Sequence, residues 1–198
     1  MPKQYNQDYF DHWYRSPSHR VAQKSLLRRK VSLALAVAEY HLGHPVRSVL
    51  DVGCGEGSWR AELLALRPRL DYRGVDASEY AVARYGRRRN LSLLRFRQLA
   101  DTRFGQAVDL LVCADLLHYL DAREIRQGLS GFSELCDGLA FVEVFSRGDD
   151  FVGDRQGYKA RPANWYRRQL ATAGFRAAGG HCYLSPRLAA AASALELA

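Results

Sequence analysis

The chain has 198 residues, of which 47% are hydrophobic and 25% are charged, and these values predict a globular protein with a single domain, 1–198. No apolar run is long enough to span a bilayer, and residues 1–6 lack the apolar stretch of a secretory signal, which predicts a cytoplasmic protein with no membrane partner. The net charge of +8 leaves nucleic acid open as a partner.

The basic residues and the cysteines are unevenly placed. Residues 1–48 hold eight basic side chains against three acidic ones, and a second basic cluster comprises Arg84, Arg87, Arg88 and Arg89. A solvated face and an anion-binding surface both produce this pattern.

The four cysteines are far apart and form no Cys-x-x-Cys pair, so we expect free thiols and no metal site.

Aromatic side chains dominate the start of an N-terminal arm, which we define as residues 1–45. The opening of this arm carries Tyr5, Tyr9, Phe10, Trp13 and Tyr14. These rings predict either a lid over a bound ligand or ordinary packing against a sheet. Apolar residues then recur at helical spacing over 21–42, and Gly43 with Pro45 just beyond it ends this helix.

Strand-like and helix-like segments alternate over the remaining residues, 46–198. The predicted strands are 47–52, 71–76, 92–98, 108–114, 139–145 and 175–184, the last broken at Gly179-Gly180. The predicted helices are 58–66, 79–88, 121–135 and 163–173. The tail, 188–198, fits a helix or a last strand. Such alternation predicts an α/β fold around a parallel sheet.

The turn after the first predicted strand is the most informative motif. Asp51 lies at the end of the strand, and Gly53, Gly55 and Gly57 follow at alternate positions. Glycines let the backbone pass close to a ligand, and the start of the next helix offers free N–H groups. A dinucleotide-binding turn would place its third glycine where this chain has Ser58. A nicotinamide-dependent oxidoreductase is therefore a disfavoured alternative.

Residues 49–57, Val-Leu-Asp-Val-Gly-Cys-Gly-Glu-Gly, resemble the first motif of the class I S-adenosylmethionine-dependent methyltransferases. The resemblance extends over residues 47–175. It implies a seven-stranded, mostly parallel Rossmann-like sheet flanked by helices, with an N-terminal helical extension and S-adenosylmethionine as cofactor. The cofactor-binding residues that it implies in this motif are Asp51, Gly53, Cys54, Gly55 and Gly57.

Three later segments also resemble this family. The acid that ends the second strand, Asp76, is implied to hold both ribose hydroxyls, and an ionised carboxylate suits a vicinal diol. Segment 98–101 is implied to face the adenine, and segment 114–119 to line the sulfonium and the acceptor. The further cofactor-binding residues implied are Asp76, Ala77, Leu99, Ala100, Asp101, Ala114 and Leu116.

Two kinds of side chain are candidates for the chemistry. His118, with Tyr119 beside it, is the predicted catalytic base, because histidine titrates near neutral pH; a packing role is the alternative. The cofactor's carboxylate calls for a guanidinium from the arm, and Arg15, Arg20 and Arg28 are equal candidates.

These features together predict methyl transfer to a small-molecule acceptor, at oxygen or nitrogen. The polar loop 146–165, after the fifth strand, is expected to shape the acceptor pocket; an ordinary surface loop is the alternative. An RNA or protein methyltransferase using the basic arm is a second hypothesis, although 114–117 lacks the Asn/Asp-Pro-Pro-Tyr pattern of enzymes that methylate base amino groups. A non-catalytic cofactor-binding subunit also fits the motifs.

Overall fold

A seven-stranded sheet forms the centre of the structure, a computed structural model that describes residues 5–15, 24–151 and 153–198. The strands are β1 (Ser48–Val52), β2 (Asp71–Asp76), β3 (Leu91–Leu93), β4 (Val108–Ala114), β5 (Cys136–Glu143), β6 (Arg176–Gly179) and β7 (Cys182–Leu184). Their order is β3-β2-β1-β4-β5-β7-β6. Neighbours from β3 to β5 pair in parallel, whereas β7 is antiparallel to both β5 and β6. The prediction of a seven-stranded, mostly parallel sheet is confirmed.

Helices connect the strands and cover the sheet. They are α1 (Gln7–Phe10), α2 (Lys24–Leu42), α3 (Ser58–Leu66), α4 (Glu79–Arg89), α5 (Ala122–Leu129), α6 (Phe132–Leu135), α7 (Ala163–Thr172) and α8 (Pro186–Ala191). A π-helical turn (Asp11–Arg15) follows α1, and short 3₁₀ segments occupy Phe96–Ala100, Leu117–Tyr119 and Ala194–Glu196. The predicted helix 21–42 is observed from Lys24, and residues 21–23 lie outside the described residues.

Strand β4 shows how one sheet holds two core layers. Leu110 and Val112 pack into the layer that contains Leu35 of α2. Leu111 belongs to the opposite layer, with Ile125 of α5. Side chains alternate between the two faces of a strand, so a strand buried on both faces appears in the sequence as one continuous apolar run.

The parallel strands place their carboxyl ends at one edge of the sheet. Val52 of β1 pairs with Val75 of β2, and on the other side Asp51 pairs with Val112 of β4. The strand order reverses direction between β1 and β4. Ligands of open α/β sheets bind in the crevice at this kind of reversal.

The predicted third strand, 92–98, is wrong beyond its first residues. β3 ends at Leu93, and the 3₁₀ segment Phe96–Ala100 follows. The Gln98 side chain accepts a hydrogen bond from the Arg95 N–H at 2.8 Å and so begins this segment. Phe96 and Leu99 are both buried, a spacing of three residues that suits a 3₁₀ turn but not a strand.

Two glycines change the elements predicted for 121–135 and 139–145. The single predicted helix is divided into α5 and α6, and Gly131, between them, packs so closely that a Cβ would overlap the Leu99 carbonyl. β5 begins at Cys136, before the predicted start, and Gly138 within it lies directly against the Asp109 carbonyl. Both positions are close approaches that exclude any side chain.

The carboxyl-terminal region is a hairpin followed by a helix. The predicted strand 175–184 is two antiparallel strands, β6 and β7, joined through Gly180 and His181, both at positive φ. The tail that fitted a helix or a strand is α8 followed by the 3₁₀ segment Ala194–Glu196.

Residues 5–15, 24–151 and 153–198 hold neither a membrane-spanning helix nor a metal-ligand cluster. No helix in them is long and apolar enough to cross a membrane, and no group of three or more potential metal ligands occurs in them. All four cysteines lie in this part of the chain, and each is buried as a free thiol.

Candidate functional site

The glycine turn between β1 and α3 has a backbone that other residues adopt only with strain. Gly53, Gly55 and Gly57 have φ values of +71°, +53° and +78°. The Gly53 N–H donates to the Val75 carbonyl at 2.8 Å, which ties the turn to β2. A Cβ on Gly53 would lie 2.7 Å from the Leu116 side chain. The turn therefore needs glycine for both its conformation and its packing.

Asp76, at the end of β2, faces the same turn. One carboxylate oxygen accepts from the Gly55 N–H at 2.7 Å, and the other accepts from the Ser78 N–H at 2.7 Å. Burial raises the pKa of the Asp76 carboxyl, against the lowering effect of these backbone donors. A carboxylate has about four acceptor sites, so each oxygen keeps one for a ligand hydroxyl.

A cavity of about 640 Å³, which we call the large cavity, lies at this edge of the sheet. Seven predicted site residues line it: Gly53, Gly55, Asp76, Ala77, Leu99, Leu116 and Tyr119. Four aromatic residues of the arm also line it: Tyr5, Tyr9, Phe10 and Tyr14. Leu94, Arg95 and Phe96 complete the side near the 3₁₀ segment, and the sequence patterns did not single them out.

A smaller cavity of about 100 Å³, the small cavity, adjoins the large one. Tyr14, Gly53 and Asp115 line both cavities and so form their junction. Three more predicted site residues line the small cavity: Asp51, Cys54 and Ala114. At its far wall, Lys30 Nζ lies 2.7 Å from a carboxylate oxygen of Glu143.

Asp51 lies beneath the glycine turn and is only 2% exposed. It accepts a hydrogen bond from the Tyr72 hydroxyl at 2.7 Å. Burial raises the pKa of the Asp51 carboxyl to about 7, although the Tyr72 hydrogen bond lowers it. Asp51 therefore links the two strands under the turn while contributing one edge of the small cavity.

Three predicted cofactor residues line neither cavity. Gly57 precedes α3, and a Cβ there would meet Leu91 and Tyr72. Ala100 ends the 3₁₀ segment, and Asp101 follows it on the exposed surface.

His118 is fully buried and also lies off both cavity walls. The rings of Tyr119, Phe145, Phe151 and Tyr158 surround it, with centroid distances of 4.2–6.0 Å. Tyr119, by contrast, lines the large cavity, and its hydroxyl donates to the Asp154 carbonyl at 2.8 Å. The predicted pair is thus divided between the interior and the cavity wall.

Comparison with known families matches residues 50–137 to the model described as "Methyltransferase domain". The matched region includes the glycine turn, Asp76 and β4, which build the site. This match agrees with the resemblance of the sequence motifs to the class I S-adenosylmethionine-dependent methyltransferases. No curated protein sequence matches it.

Solved structures of methyltransferases share the fold. One is a SAM-dependent methyltransferase from Archaeoglobus fulgidus, with 17% identity, TM-score 0.62 and coverage of 84% of this chain and 73% of that chain. Another is the magnesium protoporphyrin IX methyltransferase from Synechocystis with bound SAH, with 20% identity, TM-score 0.63 and 86% of both chains covered. A third is a sugar N-methyltransferase from Streptoalloteichus, with 18% identity, TM-score 0.62 and 84% of both chains covered.

The residues of this site fit S-adenosylmethionine, the cofactor that the sequence motifs imply. Gly53 lines both cavities without a side chain, and Asp76 keeps acceptor sites for the ribose. The volume of the large cavity is within the usual range for small-molecule sites. When bound, the cofactor supplies an activated methyl group on a sulfonium sulfur.

Residues 5–15 of the arm cover one side of the large cavity. Ser78 Oγ donates to the Tyr5 carbonyl at 2.6 Å. The buried ring of Phe10 would lie 3.2 Å from a Cβ on Gly55. Arg15 forms ion pairs with Asp11 and, at 2.6 Å, with Glu56.

The three arginines proposed for the cofactor carboxylate have different positions. Arg15 is engaged by Glu56, Arg28 is exposed on α2, and Arg20 lies outside the described residues. The cation that lines the small cavity is Lys30. Lys30 of α2 contacts Glu143, which is 113 residues away in the sequence. No local motif predicts this contact.

Proposed function

We propose that this protein is a methyltransferase that transfers the methyl group of S-adenosylmethionine to a small-molecule acceptor. The observation that carries the proposal is the pair of adjoining cavities that share Tyr14, Gly53 and Asp115. Two cavities that meet at shared residues suit a cofactor with a nucleoside end and an amino-acid end. The volume of the large cavity suits a small acceptor, and one similar structure is named as a sugar N-methyltransferase.

The large cavity is assigned to the nucleoside end of the cofactor. Asp76 would accept hydrogen bonds from both ribose hydroxyls, as ionised carboxylates do from vicinal diols. Ala77 and Leu99, with Phe96 beside them, offer apolar surface for the nucleobase. Gly53 and Gly55 allow the backbone to pass close to the ligand.

The small cavity is assigned to the amino-acid end. Lys30 and Glu143 present a cation and an anion 2.7 Å apart, and these charges are complementary to a carboxylate and an ammonium group. Such charge-assisted hydrogen bonds are about twice as strong as neutral ones. Lys30 thus takes the role that the sequence suggested for an arginine of the arm.

The acceptor wall is assigned to Tyr119 and to the loop 146–165. The Tyr119 hydroxyl joins the cavity to this loop through the Asp154 carbonyl. The loop is held in place, since the Tyr158 hydroxyl donates to the Ser146 carbonyl at 2.7 Å. The opposite wall comes from the arm, which we assign as a lid.

Thermal unfolding tests the cofactor site. S-adenosylhomocysteine at about a hundred times its dissociation constant adds about 2.7 kcal/mol, which raises the midpoint by about 5–11 °C in a chain of this size. We expect this shift in wild type and in Asp71→Ala, at the exposed start of β2, but not in Asp76→Ala. NAD should give no shift; a shift with NAD alone would contradict the proposal.

The nature of the acceptor needs a separate experiment. A cell extract is divided by ultrafiltration into small molecules and macromolecules, and each fraction is incubated with the enzyme and methyl-labelled S-adenosylmethionine. We expect label in the small-molecule fraction, dependent on Asp76. Label only in protein or RNA would refute a small-molecule acceptor while leaving the cofactor assignment intact.

A further inference from the structure

Asp115, the residue after β4, has an unusual backbone. Its φ is +59°, and it is one of three non-glycine residues with positive φ in the described part of the chain. The backbone is held there by β5, because the Asp115 N–H donates to the Glu143 carbonyl at 3.0 Å. Residues held in such conformations concentrate at functional sites.

The position of Asp115 agrees with this interpretation. Its side chain is 34% exposed and lines both the large and the small cavity. In the proposed arrangement the sulfonium joins the nucleoside end to the amino-acid end, so it would lie at the junction of the cavities. Tyr14 and Gly53 are the other residues at this junction. In the proposed arrangement, Asp115 is therefore one of the residues beside the methyl group that is transferred.

His118 supplies an independent observation. The Phe145 N–H donates to His118 Nδ1 at 3.4 Å, so Nδ1 is unprotonated and the ring proton is on Nε2. Nε2 is fully buried and has no hydrogen-bond partner in the described structure. It lies 3.2 Å from Asp115 Oδ1, at an angle outside hydrogen-bond geometry. A buried donor in this position calls for an acceptor, and a small rotation of Asp115 provides one.

The charge of the cavity walls indicates what Asp115 meets. Four acidic residues line the large cavity, namely Asp76, Asp115, Asp121 and Glu124, and Glu143, paired with Lys30, lines the small one. Lys30 and Arg95 are the basic residues on the same walls. The protein as a whole has a net charge of +8, so the acidic walls oppose its overall charge. Clefts lined by one sign of charge concentrate ligands of the other sign.

We infer that Asp115 is a catalytic residue that binds the ammonium group of an amine acceptor and takes its proton, and that His118 is the positioning residue that holds Asp115. This inference rests on the proposed function. The acceptor nitrogen gives one proton to the Asp115 carboxylate. Its freed lone pair then forms the N–C bond to the methyl carbon as the C–S bond breaks, and the electron pair of that bond stays on sulfur. The products are the methylated ammonium and S-adenosylhomocysteine, and Asp115 then releases its proton to solvent.

Sinefungin is a direct probe, because it carries a protonated amine where the cofactor carries its methylsulfonium. We expect wild type to bind sinefungin more tightly than S-adenosylhomocysteine in calorimetry. In Asp115→Asn this preference should fall about tenfold or more, the usual value of a hydrogen bond between charged groups. Asparagine tolerates positive φ, so the backbone is retained. Asp71→Asn, which removes an equal charge at the exposed start of β2, should keep the preference.

Two substitutions test His118 as a positioning residue. In His118→Leu we expect the preference for sinefungin to fall as in Asp115→Asn, whereas His118→Gln, which keeps an N–H donor, should restore most of it. S-adenosylhomocysteine affinity reports whether each variant folds. If both variants, His118→Leu and His118→Gln, lose the same amount of affinity for sinefungin and for S-adenosylhomocysteine, the role of His118 is purely structural.

The failures of the two proposals are distinguishable. If S-adenosylhomocysteine does not bind wild type, the proposed function itself is refuted. If it binds but Asp115→Asn leaves the preference for sinefungin unchanged, only the role of Asp115 is overturned. Methylation of alcohols or phenols but of no amine, in the ultrafiltration experiment, would overturn the assignment of an amine acceptor.

Discussion

Lys30 of α2 and Glu143 at the end of β5 form an ion pair, with Nζ 2.7 Å from a carboxylate oxygen, at the wall of the small cavity. Both side chains are mostly buried, with 26% and 11% exposed. A pair of this kind stabilises little by itself, because the desolvation of two charges offsets their attraction. Because the ion pair lies at the wall of the small cavity, we infer that it binds a ligand. Adenosine lacks the amino-acid end of the cofactor, so a comparison of adenosine with S-adenosylhomocysteine isolates the contribution of the ion pair.

We predict that Lys30→Met weakens S-adenosylhomocysteine binding about tenfold or more and leaves adenosine binding nearly unchanged, because only the former has a carboxylate to pair. Isothermal titration with both ligands measures this. Arg28→Met, at an exposed position of the same helix, should change neither affinity. If Lys30→Met loses the same amount of affinity for both ligands, the ion pair of Lys30 and Glu143 only maintains the fold.

We predict that Gly53→Ala abolishes cofactor binding and destabilises the protein more than Gly43→Ala. Both glycines have nearly the same φ, +71° and +72°, but only at Gly53 would the new Cβ meet another side chain, Leu116 at 2.7 Å. Gly43→Ala should therefore cost only the conformational strain, about 1–2 kcal/mol. Urea unfolding gives the stabilities, and titration with S-adenosylhomocysteine gives the affinities. Similar results for the two variants would contradict the packing argument.

Much of the fold can be predicted from the sequence, because the patterns that indicate its strands and turns involve only neighbouring residues. The apolar run of β4 and the glycine turn predict their own structures, and they anchor the order of elements around them. The predictions are wrong where contacts with residues distant in the sequence determine the secondary structure. Residues 92–98 alternate like a strand, but Phe96 and Leu99 both enter the core. Gly131 and Gly138 mark close approaches to carbonyls that are distant in sequence.

The site divides in the same way. Gly53 and Asp76 belong to motifs that each lie on one strand end, and both line the large cavity. Lys30 belongs to no motif, and its contact with Glu143 exists only after folding. The type of residue at His118 suggested a base, whereas its complete burial and the positive φ of Asp115 are visible only in three dimensions.

We predict that Asp51 makes the stability of the ligand-free protein fall as the pH rises. Burial raises its pKa to about 7 in the folded state, against about 3.9 in the unfolded chain. The folded state holds the proton more tightly, so the stabilising contribution is complete below about pH 4 and is lost between about pH 4 and 7. A pKa difference of about 3 corresponds to about 4 kcal/mol.

Asp51→Asn removes this titration while keeping an acceptor for the Tyr72 hydroxyl. The unfolding free energy of the variant, minus that of wild type, should rise by up to about 4 kcal/mol between pH 4 and pH 8. Urea titrations at a series of pH values measure this difference. Asp150→Asn, at an exposed carboxylate, should show no such rise, and a flat difference for Asp51→Asn would exclude a protonated Asp51 in the folded state.

We predict that Phe10→Ala speeds the dissociation of S-adenosylhomocysteine about tenfold, if the arm covers the bound cofactor as we assign. The Phe10 ring is 2% exposed and packs beside Gly55 and Tyr80, and burial of such a ring contributes about 1.5–3 kcal/mol. Its loss should release the arm from the glycine turn and open the large cavity. Stopped-flow displacement measures the dissociation rate. His12→Ala, at an exposed position of the arm, should leave the rate unchanged, and a tenfold increase there as well would mean that the arm affects the site without covering it.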